Sequence, residues 1–141
     1  MSSDLAGTFL HRLSAATTAH DLDALVDCFT EDYHSEAPTH PARSFTGAER
    51  VRANWRQIFE FVPDIRATVT AWAADGTTVW SEWDMEGTRR DGTAHRARGV
   101  IVFGLSGPRA SWARFYLELV DEDPATITEA VRNQVHAGGA P

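Results

Sequence analysis

Near the end of the chain, Arg114, Tyr116 and Glu118 alternate in the run Trp112-Ala-Arg-Phe-Tyr-Leu-Glu118. In a β-strand alternate side chains share one face, about 6.6–7 Å apart, so a guanidinium, a phenol and a carboxyl would line up beside Trp112. A carboxyl in partly apolar surroundings has its pKa raised by desolvation and lowered by a neighbouring guanidinium. Glu118 is therefore a candidate general acid or base, with Tyr116 and Arg114 as donors that steady a developing oxyanion. The same residues read equally as a cross-strand ion pair of small energetic weight. Catalysis, ligand binding and plain structure all stay open from this stripe alone. The opposite face, Ala113, Phe115, Leu117 and Leu119, is apolar, and which face turns inward is a question for the fold.

Other reactive side chains are sparse. The six histidines are scattered with no pair at metal-ligand spacing such as i, i+4 on a helix, so no metal and no cofactor is expected. His34 and His40 flank a loop containing Glu36 and stay outside the candidate site, because Tyr33 rather than His34 has the inward parity. Cys28 is the sole cysteine; it excludes an intrachain disulfide and reads as a small buried hydrophobe.

Composition narrows the function classes. The net charge of −7 works against binding nucleic acid phosphates. The one basic cluster, Arg89, Arg90, His95, Arg96 and Arg98, is interrupted by Asp91-Gly92 and reads as a solvated hairpin. No run approaches the ~18 apolar residues of a membrane span, and the first residues show no basic and apolar leader. A cytoplasmic protein of one domain, residues 1–141, that binds neither nucleic acid nor membrane is the expectation.

The elements that must position the stripe follow from periodicity. Leu5, Phe9, Leu13 and Ala16 mark one helical face. Asp21 caps a second helix with the stripe Leu22, Leu25, Val26 and Phe29, ended by Thr30-Glu-Asp. Tyr33 to Ala37 reads as a short strand. Gly47 opens a third helix with Val51, Trp55, Ile58, Phe59 and Val62 on one face, stopped by Pro63. The period then becomes two at Ile65, Ala67, Val69 and Ala71. Asp75-Gly76, Asp91-Gly92 and Ser106-Gly107-Pro108 turn the chain between strands at Thr77–Thr88, Thr93–Leu105 and Ala110–Asp121. Asp123-Pro124 can start a last helix carrying Ile127, Ala130, Val131 and Val135. Helices followed by a four-stranded antiparallel meander and a closing helix make an α+β fold. Val100, Ile101, Val102 and Phe103 are apolar on both faces, which predicts a sheet covered on both sides: by helices on one, by a second copy in a homodimer on the other.

The order of motifs resembles the nuclear-transport-factor-2-like superfamily, in its SnoaL-like and ketosteroid-isomerase-like branch. The resemblance rests on His20-Asp-Leu-Asp-Ala-Leu-Val-Asp-Cys-Phe-Thr-Glu-Asp32, Phe45-Thr-Gly-Ala-Glu-Arg-Val51, Ser81-Glu-Trp-Asp-Met-Glu-Gly87 and Arg114-Phe-Tyr-Leu-Glu118. It implies three N-terminal helices packed on a strongly curved, cone-shaped antiparallel sheet that encloses a pocket, with a short C-terminal helix. It implies a pocket for an apolar, oxygenated small molecule, walled by Tyr33, Trp55, Phe59, Trp83, Met85 and Phe103. The family pattern turns Tyr116 and Glu118 into that pocket and leaves the apolar face of the strand for the dimer partner.

Family chemistry does not carry over whole. The positions of a ketosteroid-isomerase tyrosine, base and acid fall on Leu13, Ala37 and about Ile101, none of which gives or takes a proton. The arginine and first aspartate of limonene-type epoxide hydrolases fall on Trp83 and Met85, with Glu118 at the second aspartate. The aspartate of SnoaL-like cyclases falls near Phe115. A cofactor-independent isomerase, cyclase or hydratase using Glu118 is one expectation; a non-catalytic ligand-binding or dimerisation domain is the other.

Overall fold

The computed structural model describes residues 2–139. Helix α1 (Ser2–Ala19) buries Ala6, Phe9, Leu10, Leu13 and Ala16. Leu5 is 45% exposed, so the buried stripe runs through Ala6 and Leu10 instead. Thr18 Oγ1 accepts from Ala67 N at 3.0 Å and donates to Ala67 O at 3.3 Å, pinning α1 to the sheet. His20, at φ 58°, ends the helix, and Asp21 accepts from Ala24 N at 3.1 Å to cap α2 (Leu22–Val26).

Helix α2 is shorter than its apolar stripe suggests. Phe29 and Thr30-Glu-Asp belong to β1 (Phe29–Glu36). Ala110 N donates to Cys28 O at 2.8 Å, and the Phe29 ring packs 4.6 Å from Tyr33. Pairing with a strand some eighty residues away thus outcompetes one more helical turn. A single 3-10 turn (Pro41–Arg43) and the two-residue β2 (Phe45–Thr46) lead to α3 (Ala48–Phe61), capped by Gly47.

The meander is β3 (Arg66–Asp75), β4 (Thr78–Thr88), β5 (Ala94–Ser106) and β6 (Arg109–Leu119). The six strands lie in the order β2-β1-β6-β5-β4-β3. The meander pairs are antiparallel, whereas β1 joins β6 in parallel, so the whole sheet is mixed. Register shifts at Val69/Ala71 in β3 and Gly104/Leu105 in β5 bend it. Gly99 helps, at φ 153°: a Cβ there would lie 2.0 Å from Tyr116 O, so the two backbones meet at a distance only glycine allows.

Val79, Ser81, Trp83 and Met85 of β4 and Ala97, Ile101, Phe103 and Leu105 of β5 turn toward the helices and are buried. Ser81 Oγ accepts from Trp83 Nε1 at 2.8 Å and donates to Ile101 O at 2.7 Å, which satisfies a buried indole. Trp80, Glu82, Asp84 and Glu86 face away. Asp84 meets Arg98 of β5 at 3.4 Å, whereas Glu86 pairs with Arg66 of β3 and Arg96 with Glu122.

The closing helix α4 (Ile127–Gly139) starts later than Asp123-Pro124. Asp123 instead accepts from Ala125 N, and Thr126 with Glu129 forms a reciprocal capping pair. Among the described residues no helix is long and apolar enough to cross a membrane.

Candidate functional site

Between α3, β1 and the far ends of β4, β5 and β6 lies a cavity of about 430 Å³, near the small end of the ~300–1,000 Å³ typical of small-molecule pockets. Its floor is buried and apolar: Val51, Ile65, Met85 and Ala97, with Tyr33 and Ser35 of β1 as the polar exceptions. Trp55, Ile58 and Phe61 of α3 form one wall, and Phe115, Leu117 and Leu119 of β6 another.

That last wall corrects one expectation. The apolar face of β6 turns inward, in register with Ile101 and Phe103 through Phe115 and Ala113. Arg114 and Tyr116 lie on the outer face, outside the cavity; the Arg114 guanidinium sits 4.6 Å above the Trp112 ring. The reason is core filling: β5 presents Ile101 and Phe103 to the helices, and antiparallel pairing puts the residues opposite them on the same side. The same geometry turns the β6 apolar face toward the cavity rather than to the outer side of the sheet.

Glu118 has outer parity too, opposite Arg98, yet it reaches the cavity mouth from the strand end. There its Oε1 lies 2.7 Å from His40 Nε2. Of the expected walls, Tyr33, Trp55 and Met85 line the cavity. Trp83 and Phe103 are instead solid core, with rings 6.4 Å apart and Phe103 also 4.9 Å from Phe9. Phe59 packs behind Trp55 against His20. The part of the cone next to α1 is therefore filled, and the hollow lies toward β1 and the end of α3.

Two polar groups have shifted proton equilibria. Burial pushes the Tyr33 phenol well above its ordinary value, with a Ser35 hydrogen bond acting the other way, so it stays a donor at neutral pH. Burial, then the Arg89 charge, lowers the His95 imidazole. Arg89 Nε donates to His95 Nδ1 at 3.4 Å, which fits a neutral ring.

The SnoaL-like domain family matches residues 10–111. The chain belongs to the SnoaL-like family. Solved structures similar to this SnoaL-like chain include a Catenulispora acidiphila protein with a ketosteroid isomerase-like fold in complex with trimethylamine. It has a TM-score of 0.67 and 14% identity, covering 87% of this chain and 92% of that one. A Burkholderia thailandensis SnoaL-like protein of unknown function gives 0.64 and 22%, over 84% and 96% of the two chains. An Anabaena variabilis NTF2-like protein gives 0.70 and 17%, over 89% and 93%. At these identities the likeness is one of fold. No curated protein matches the sequence.

Family positions explain the gaps in the SnoaL-like site. Ala37 lines the cavity without a proton to exchange, and Leu13 and Ile101 are core. His40, Arg43, Asn54 and His95 are the polar lining that sequence reasoning missed. His40 and Arg43 lie in a proline-rich loop with no periodicity, and His95 looked like part of a solvated basic hairpin. The aromatic spacing Trp55–Phe59 was the available signal for α3, and its next turn supplies Phe61.

Proposed function

We propose that this SnoaL-like protein binds a small, largely apolar molecule bearing an oxygen function. The observation that carries this is the cavity itself: an apolar floor and walls, with Tyr33 inside and the His40–Glu118 pair at the mouth. Apolar walls with a few converging polar groups are the usual form of a small-molecule site. Met85 offers a direct test, since it lines the floor. In a methionine-methyl NMR titration with 2-acetylnaphthalene, an apolar aryl ketone, the Met85 resonance shifts and saturates. A resonance unmoved at the solubility limit of the ketone would sink the reading.

The His40–Glu118 contact favours a second, catalytic reading: cofactor-independent proton transfer of the isomerase or cyclase type. Glu118 takes a proton from a carbon beside a carbonyl, His40 steadies the carboxyl, and the Tyr33 phenol donates to the enolate oxygen. In an isomerase Glu118 returns the proton to carbon at another position of the enolate; in a cyclase the enolate carbon attacks a second carbonyl of the substrate and Glu118 returns the proton to the alkoxide so formed. Hydrogen–deuterium exchange at the ketone methyl of 2-acetylnaphthalene, followed by proton NMR, measures that first step. Exchange no faster than in protein-free buffer removes this reading and leaves binding intact.

Assembly is proposed as a homodimer through the outer sheet face. Supporting it are Trp80 and Tyr116, exposed by 43% and 40%, with Val100 and Val102 in the adjoining rows.

A further inference from the structure

Most polar groups around the cavity already have partners. His95 accepts from Arg89 and Glu118 accepts from His40, while the buried Tyr33 phenol has Ser35 as its polar neighbour. Three lining groups are left over: the Arg43 guanidinium, the Asn54 carboxamide and the Trp55 indole N–H, none of which has a side-chain partner among the described residues. Two of the three are donors only, and the carboxamide both donates and accepts. What sets Arg43 apart from other arginines without an ion pair among the described residues, such as Arg50, Arg56 and Arg132, is that it alone among them lines the cavity.

The loop holds that arginine in place without using its charge. Arg43 N donates to His40 O at 2.8 Å and Ser44 N to Pro41 O at 3.1 Å, closing the 3-10 turn. Ser44 Oγ then accepts from Ala37 N at 3.2 Å, tying the turn to the end of β1. The backbone is braced on both sides, and the guanidinium is free to meet whatever enters. The one carboxylate lining the same mouth, Glu118, meets His40, and among the described residues no ion pair joins it to Arg43.

We propose that the ligand is an amphipathic carboxylate, with its apolar body in the cavity and its carboxylate on Arg43 at the mouth. Asn54 and Trp55, which line the same cavity, offer further neutral donors. Guanidinium and carboxylate match in plane and in spacing, and a bidentate pair is stronger than a neutral hydrogen bond. This rests on the binding reading above and narrows it, since a neutral ketone or alcohol leaves Arg43 unused.

Isothermal titration with 2-naphthoate and its neutral isostere 2-naphthamide separates the two ideas. The wild-type protein is expected to bind the carboxylate about tenfold to a hundredfold more tightly, as a hydrogen bond to a charged group contributes ~1.5–3 kcal/mol. The preference shrinks with added salt. Arg43→Gln brings the two affinities together by weakening the carboxylate alone, while Arg43→Lys keeps part of the preference. Equal affinities in the wild type, or a preference untouched by Arg43→Gln, overturn the carboxylate assignment and leave the pocket standing. Failure of both compounds to bind overturns the assignment and the binding reading together.

Discussion

His40 Nε2 donates to Glu118 Oε1 across 2.7 Å, joining the loop between β1 and β2 to the end of β6 at the cavity mouth. Both side chains are well exposed, so the pair adds little to stability; exposed ion pairs are worth ~0–1 kcal/mol. Its chemical value is separable from its structural one. Glu118→Gln is expected to shift urea unfolding by no more than about 1 kcal/mol. In the ketone exchange assay the same substitution removes on the order of a hundredfold or more of any acceleration, the usual scale of general acid–base catalysis. His40→Gln acts in the same direction. Acceleration that survives Glu118→Gln unchanged removes Glu118 from the mechanism.

His95 couples the cavity to pH. Burial, and then the Arg89 charge, hold its folded-state pKa below the ordinary 6.5, so the unfolded chain binds this proton more readily. Its contribution to stability is complete above pH 6.5 and is lost as pH falls through the lower folded value. A carbon-proton NMR titration of the imidazole should show His95 changing at lower pH than a free histidine. Arg89→Ala moves that midpoint upward but not past 6.5, because desolvation is the larger cause. A midpoint above 6.5 in the wild type contradicts the packing described for this ring.

What was legible beforehand divides by range. Helix α3 and the meander follow from local period: Val51, Trp55, Ile58 and Val62 repeat like a helix, and the Gly turns at 76, 92 and 107 mark the hairpins. Phe29 could not be placed that way. Its spacing from Leu22, Leu25 and Val26 is helical, but its partner is Ala110, and no local pattern reports a pairing that distant. The site failed for a related reason. Strand β6 sets a mixed polar and aromatic face, Trp112, Arg114, Tyr116 and Glu118, against an apolar one, Ala113, Phe115, Leu117 and Leu119, and either could meet a covering layer, helices or a second copy. Register with Ile101 and Phe103 chose, and it sent Arg114 and Tyr116 outward.

Gly104 and Trp112 form a cross-strand pair in which the indole occupies the space of a side chain. A Cβ at 104 would lie 1.8 Å from Trp112 Nε1. Gly104→Ala therefore forces the ring to move and is expected to cost ~1–3 kcal/mol, the range for overpacking a filled site. The cost should be non-additive with loss of the ring: Gly104→Ala/Trp112→Val is less unstable than the sum of its single variants. Urea unfolding of the four proteins measures the coupling. Strict additivity would mean that the indole does not fill that space.

The outer sheet face supplies the last prediction. Trp80 pairs with Val102, and Val100 with Tyr116, so these four side chains form two adjoining rows across β4, β5 and β6. Val102 is already covered, at 3% exposure, but Trp80 and Tyr116 remain open. In a two-fold dimer the same patch meets itself, and a charge placed there would meet its own copy in a desolvated setting. Sedimentation velocity of the wild type is expected to give twice the chain mass, and Trp80→Glu to give a folded monomer. Ile127→Glu on α4, at a position 78% exposed and on another element, is the matched control and should remain dimeric. A monomeric wild type, or a Trp80→Glu variant as dimeric as the control, excludes this face as the interface.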